Sequence, residues 1–357
     1  MEIFKFGGAS VKDAEGVRNF MSMLQRLDKE EVLIVISAMG KMTNAFEALV
    51  KAYHQKENNT NQYLEEARSF HLHIIKNLGF DENASVYGEL EAVFEEIANF
   101  FKKNNSTDYD YLYDQIVSKA EFISTRICSA YLSQHGLKHQ WLDVRKCIKT
   151  DSDFRRAKVD WDLTTKAIHE MVDTSGITIT QGFIGSDNFG RTTTLGREGS
   201  DYTAGIFAFC LDAEKVSIFK DVPGVLNADP REFKQTSLIE QISYKEAIEM
   251  AFYGASVIHP KTLQPLQRKG IPLVVRSFLD PDIKGTSVGS ELDIVPKIPC
   301  YIVKKHQILI SISDKEFHFV MENDISEIFR FLHDYKIKVN LIQNSAISFS
   351  LCIEDNF

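Results

Sequence analysis

The sequence predicts an α/β fold: a three-layer sandwich with a mainly parallel central sheet, followed by an incomplete ferredoxin-like module. Three observations predict it. Short apolar runs rich in β-branched residues recur between helical stretches, at 32–36, 177–184, 216–219 and 271–275. Their mostly continuous apolarity means that both faces are covered, as in a parallel sheet between helix layers. Glycine and small hydroxyl residues gather just past several of these runs, where ligands of open α/β sheets bind. Beyond a boundary rich in Gly, Pro, Ser and Asp, between Pro281 and Pro299, the pattern becomes β-α-β-β.

In chain order, MEIFKF opens as a strand, and residues 13–20 carry a helical pattern. From about 43 to 127 the chain is a helical elaboration of the sheet unit. There Tyr87, Leu90, Phe94, Ile97 and Phe101 recur at steps of three and four, an amphipathic helix whose aromatic stripe is core packing. The polar segment around Asn58, Asn59 and Asn61 reads as a loop between helices. His71 and His73 share no helix face, so they read as surface histidines rather than metal ligands. After the boundary, 307–313 reads as a strand, 325–335 as a helix, and 339–343 and 347–353 as two strands. The last helix and strand of a ferredoxin-like module do not follow, so they are either missing from this chain or supplied by a partner. The expected division is a catalytic unit at 1–292 and a smaller one at 300–357.

A chain of 357 residues suits two domains. Hydrophobic residues at 44% and charged residues at 25% are those of a globular protein. The net charge of −9 argues against nucleic acid or an anionic membrane as the main partner, since both reward a basic face. The N-terminus lacks a basic n-region and an apolar h-region, and no uncharged stretch is long enough to span a bilayer, so a cytoplasmic location is expected. The five scattered cysteines include no C-x-x-C pair and read as reduced, mostly buried thiols.

Four segments carry chemistry. Lys5, Gly7, Gly8 and Ser10 lie at the end of the first strand, where two glycines let backbone N–H groups approach a phosphate and the lysine adds a mobile cation. The spacing is neither that of a P-loop nor that of a dinucleotide fingerprint, and a plain turn is the competing reading. Ser37-Ala38-Met39-Gly40 with Thr43-Asn44 follows the second strand, and on its own it reads better as a cap plus a turn than as a ligand loop. GRTTTLGREGSDYT, at 190–203, combines three glycines, three consecutive threonines and two arginines. That density suits a site in which arginines grip a carboxylate and bare N–H groups surround phosphoryl oxygens. The fourth segment, 220–231, holds Lys220, Asp221 and Arg231 among turn residues; it suits a nucleotide loop, or simply two turns.

Together these segments resemble the aspartate kinases of the amino-acid kinase family. KFGGAS resembles the family's opening K-F-G-G-T-S, QGFIGSDNFGRTTTLGREGSDYTA its most specific signature, and KDVPGV with NADPR its nucleotide loop. WLDVRK and YGASVIHP add support, and the unit after 300 resembles the family's ACT regulatory module. The resemblance implies transfer of the γ-phosphoryl group of ATP, with Mg²⁺, to the side-chain carboxylate of L-aspartate. The product is 4-phospho-L-aspartate, at the entry to lysine, threonine and methionine synthesis. Lys5 would bridge the transferred group, with Gly7, Gly8 and Ser10 donating to phosphate oxygens. Thr43, Glu121, Arg197 and Ser200 would hold aspartate, Glu121 near its ammonium and Arg197 on a carboxylate. Asp201 would orient the lysine or assist the metal, and Lys220, Asp221 and Arg231 would line the nucleotide side. No protein metal site is expected.

Three positions depart from the family pattern: Ala9 stands where Thr is usual, Glu198 where glycine is usual, and Ser256 where many members carry a lysine that reaches the ATP phosphates. Lys261, reaching across from another side of its helix, is the expected substitute on the nucleotide side. The ACT resemblance also implies an amino-acid effector, lysine or threonine, and a homodimer through that module. The alternatives are a kinase of the same fold acting on glutamate, N-acetylglutamate or a nucleoside monophosphate, and an amino-acid sensor with an idle kinase domain.

Overall fold

The computed structural model describes residues 1–357 except Ser256, Val257, Pro281, Lys315, Phe317, Asn356 and Phe357. The departure at Ser256, the boundary residue Pro281 and the final Phe357 thus lie outside the described residues. The chain opens with β1 (Glu2–Phe6), α1 (Ala14–Leu27) and β2 (Val32–Ile36). Four helices follow: α2 (Met42–His54), α3 (Thr60–Leu78), α4 (Ser85–Lys103) and α5 (Tyr109–Gln134). Next come β3 (Gln140–Leu142), α6 (Trp161–Met171), β4 (Ile177–Gln181), β5 (Ile184–Ser186) and β6 (Thr192–Thr194). After them lie α7 (Gly199–Cys210), β7 (Val216–Lys220), β8 (Gln241–Ser243), α8 (Tyr244–Tyr253), α9 (Pro260–Lys269), β9 (Leu273–Ser277) and β10 (Thr286–Gly289). The last four elements are β11 (Gln307–Ser313), α10 (Glu322–Asp334), β12 (Val339–Asn344) and β13 (Ser348–Glu354).

The main sheet has the order β3-β4-β2-β1-β7-β9-β10-β8. Its first six strands pair in parallel, and the direction reverses between β9 and β10. Strand alternation explains the two cores on its faces. Phe4, Phe6, Ile34 and Ile36 point into a cluster with α1 to α5, whereas Ile3, Leu33 and Val35 point into one with α7 and α9. Lys5 has the parity of Ile3 and therefore points toward α7. The register pairs Phe6 with Ile36 and Phe219, and Ile36 with Gln181, so four strand ends stop at one level. The loops that leave them are those singled out for chemistry.

Several local expectations need correction. The run 177–184 is two strands, because the chain turns at Gly182 and at Phe183, whose φ is 74°, and β5 leaves the main sheet to form a hairpin with β6. The expected strand at 271–275 lies at Leu273–Ser277 instead. Asn61 is in α3, and only the residues before Thr60 form the connection from α2. His71 is not on the surface: it is fully buried against Phe46, Phe70 and Phe94, while His73 is exposed. Burial drives its imidazole down to about 4, partly opposed by its contact with the Ala67 carbonyl at 2.7 Å. Cys128, Cys147 and Cys210 are buried, Cys300 and Cys352 half-buried, and all five are free.

The C-terminal unit is a three-stranded antiparallel sheet of order β11-β13-β12, with α10 covering Phe349, Leu351 and Ile353. It joins the rest through Tyr301, which stacks on Phe233, and through an ion pair between Lys305 and Glu232 at 2.7 Å.

Candidate active site

A cleft of about 640 Å³ opens where the ends of β1, β2 and β4 meet the N-terminus of α7 and the first turn of α2. Close backbone approach builds this corner. A Cβ on Gly8 would lie 2.5 Å from the Ala38 carbonyl oxygen, and one on Gly182 would lie 2.5 Å from Ser200 Cβ. Glycine is required at both, since each loop touches the backbone or side-chain root of the next.

Asp201, in the first turn of α7, is fully buried. Lys5 Nζ lies 2.6 Å from its Oδ1 and Lys220 Nζ 3.2 Å from its Oδ2. Burial alone would raise its carboxyl, but the two ammoniums outweigh that and hold it below the usual range. The reciprocal attraction outweighs desolvation at Lys220, whose ammonium is held above its usual range. Lys5 also packs over Gly7, where a Cβ would stand 3.4 Å from Nζ. Two cations and the α7 N-terminus thus converge on the end of the sheet, an arrangement suited to phosphoryl oxygens.

A second buried acid lines the same cleft. Glu121, on α5, is buried, and its Oε2 has no hydrogen-bond partner among the described residues. Burial pushes its carboxyl up to about 8, opposed by Lys5 and by an N–H donated from Ala38. An orphaned acid oxygen beside a cleft suits a cationic group such as an amino acid's ammonium. Thr43, Arg197 and Ser200 line the same space, with Arg197 exposed on its wall. Glu198 precedes α7 with φ 55°, a conformation that glycine adopts without a Cβ penalty.

Of the residues read from sequence, Lys5, Thr43, Glu121, Arg197, Ser200, Asp201 and Lys261 line this cleft together. Lys261 reaches it by donating from Nζ to the Leu195 carbonyl at 3.3 Å. Lys220 joins through Asp201. Gly7 and Asp221 follow adjoining strand ends, and Gly8 and the buried Ser10 lie in the 3-10 turn after β1, none of them in the wall. Arg231 lies apart, with its guanidinium on Asp229 at 2.6 Å and most of its side chain in solvent. Sequence reasoning missed Asp110, Tyr113, Arg155 and Arg156, which also line the cleft, as do Phe183 and Thr194 of the third segment, to which it gave no individual role. The one signal for the arginines is an adjacent pair inside the turn-rich stretch DSDFRRA. Among the described residues no cluster of three acids, histidines or cysteines could hold a metal, and no helix is long and apolar enough to cross a membrane.

Residues 1–277 match the model of the amino acid kinase family. The chain is 34% identical to lysine-sensitive aspartokinase 3 of Escherichia coli (strain K12), over 99% of this chain and 78% of that protein. The E. coli aspartokinase III crystal structure with aspartate and ADP is similar at a TM-score of 0.85 and 34% identity, covering 99% of this chain and 78% of that one. The same enzyme with lysine and aspartate is similar at 0.85 and 33%, covering 99% and 79%.

Proposed function

The chain belongs to the amino acid kinase family and to its aspartokinases, and from that premise we propose how its cleft works. It transfers the γ-phosphoryl group of ATP to the side-chain carboxylate of L-aspartate and yields 4-phospho-L-aspartate. The observation that carries the residue assignment is the pairing of Asp201 with both Lys5 and Lys220 in the cleft that also holds the orphaned Glu121. The two lysines gather positive charge for phosphates, and Glu121 offers an acid for an ammonium.

A carboxylate is already a nucleophile and needs no base, so the protein must neutralise charge and hold two anions in line. Asp201 aims Lys5 at the transferred group. Arg197 and Ser200 hold aspartate, Thr43 borders it, and Glu121 receives its ammonium. Lys220 and Asp221 border the nucleotide, with Gly7, Gly8 and Ser10 on its phosphates. Lys261 supplies a second cation near them, and Arg231 serves the nucleotide only if its loop moves toward the cleft. Mg²⁺ fits as a companion of the nucleotide, since that ion needs only one or two protein carboxylates besides phosphates, and it would neutralise the γ-phosphoryl charge. Residues 1–292 form the catalytic unit in this reading. Residues 300–357 form part of an ACT-type module that pairs with a second copy and transmits feedback by lysine or threonine.

The test is ADP release by the purified chain with Mg²⁺, ATP and single amino acids, with hydroxylamine trapping any acyl phosphate as a hydroxamate. Hydroxamate with aspartate alone is expected. Hydroxamate with glutamate but not aspartate would overturn the substrate, and no turnover would overturn the reading. Inhibition by added lysine or threonine would identify the effector.

A further inference from the structure

We propose that Arg155 is a second carboxylate-binding arginine on the amino-acid side of the cleft, held in register with Arg197 by the buried carboxylate of Asp114. The inference deepens the aspartate kinase reading and rests on it.

Arg155 has φ 64°, the left-handed region that an arginine enters only at a cost. Such strain persists where the surroundings enforce it, and it gathers at functional sites. Here the surroundings are specific. Asp114, fully buried on α5, accepts at Oδ2 from Arg155 N at 3.0 Å and from Thr194 N at 2.8 Å, and at Oδ1 from Thr194 Oγ1 at 2.7 Å. One carboxylate therefore ties the Arg155 turn to the end of β6, three residues before Arg197. Ala157 N adds a bond to the Thr194 carbonyl at 3.1 Å, and a Cβ on Gly196 would stand 3.1 Å from the Arg155 carbonyl oxygen. The loop of Arg197 and the turn of Arg155 are thus packed on each other.

The side chain enters the cleft over the Tyr113 ring, 4.4 Å from its centroid. Its resting partners are loose: Nη1 meets Asp110 at 3.2 Å and Nη2 meets Glu47 at 3.5 Å, the first acid exposed and the second half-buried. Neither contact uses Nε. An aromatic shelf with two long, partly solvated acid contacts keeps a guanidinium oriented, and a substrate carboxylate can exchange with those acids through the planar fork.

The test is the hydroxamate assay on the full chain as wild type, R155G, R155K and T194V, with KM for aspartate and for ATP and the melting temperature. Glycine adopts φ 64° without penalty. R155G should therefore raise KM for aspartate roughly tenfold, as expected for loss of a charge-assisted bond, without changing KM for ATP or lowering Tm. R155K should fall between, and T194V should raise the aspartate KM by slackening the register. An R155G enzyme with unchanged aspartate KM, or with lowered Tm and both KM values shifted together, would mean that Arg155 is a structural tie and overturn the proposal. An unchanged T194V would overturn the Asp114 anchoring. Wild type with no aspartate turnover would instead overturn the functional reading, and this inference with it.

Discussion

At the residue scale, Asp201 and Glu121 show how one fold keeps two buried acids in opposite states. Asp201 faces two ammoniums and is held ionised, whereas desolvation dominates at Glu121 and raises it to about 8. Replacing Asp201 by Asn would leave Lys5 and Lys220 without their shared counter-charge. We expect kcat to fall by a factor of about a hundred or more and stability by about 3 kcal/mol, checked by the hydroxamate assay and denaturant unfolding. Glu121 is mostly protonated in the empty cleft at pH 7, and an arriving ammonium favours its ionised form. Aspartate binding at pH 7 should therefore release a proton, read by calorimetry in buffers of different ionisation enthalpy, and Glu121→Gln should abolish that release. Lys5, Arg197 and Asp201 were legible in the sequence because the segments that carry them resemble the family's motifs, Arg197 and Asp201 in the glycine-rich stretch at 190–203. Arg155 was not, because its significance lies in φ and in Asp114, a residue 41 positions earlier.

At the element scale, helix ends and loop contacts position the site. Asp13 caps α1 by accepting from Gly16 N at 2.8 Å, and the 3-10 turn that leads from β1 into this cap carries Ser10. Asp13→Ala should destabilise by about 1 kcal/mol, seen as a lowered urea midpoint. The helical layer carries its own pH signature. His71 titrates near 4 when folded against an ordinary 6.5, so the folded state binds fewer protons between those values. Its contribution is complete above pH 6.5 and is lost as pH falls toward 4. His71→Leu should flatten the fall in stability over that window in urea titrations at successive pH values. The strands and the stripe of α4 were legible because periodicity is local. The break at Gly182 and Phe183 was not, because the close approach of Ser200 to Gly182 comes from a segment distant in the chain.

At the scale of the whole molecule, two units share a chain, and the smaller one exposes an apolar row across the outer face of its sheet. Leu309 and Leu341 both pair with Cys352, and they are 72% and 51% exposed. If that face pairs two copies, sedimentation should find a dimer, and Leu309→Glu should dissociate it while leaving the melting of the larger unit unchanged. The α/β class, the β-α-β-β order of the last unit, the loops that carry chemistry and most of the charged residues in them were readable along the chain, since these follow from local pattern and residue chemistry. Which of them meet depends on how the chain packs. Strand order set β1 beside β7 and so brought Lys5 and Lys220 to one carboxylate. Packing carried His71 into the core, and the hairpin of β5 and β6 laid its end against Asp114. Such meetings join residues far apart in the chain, and local propensity carries no information about them.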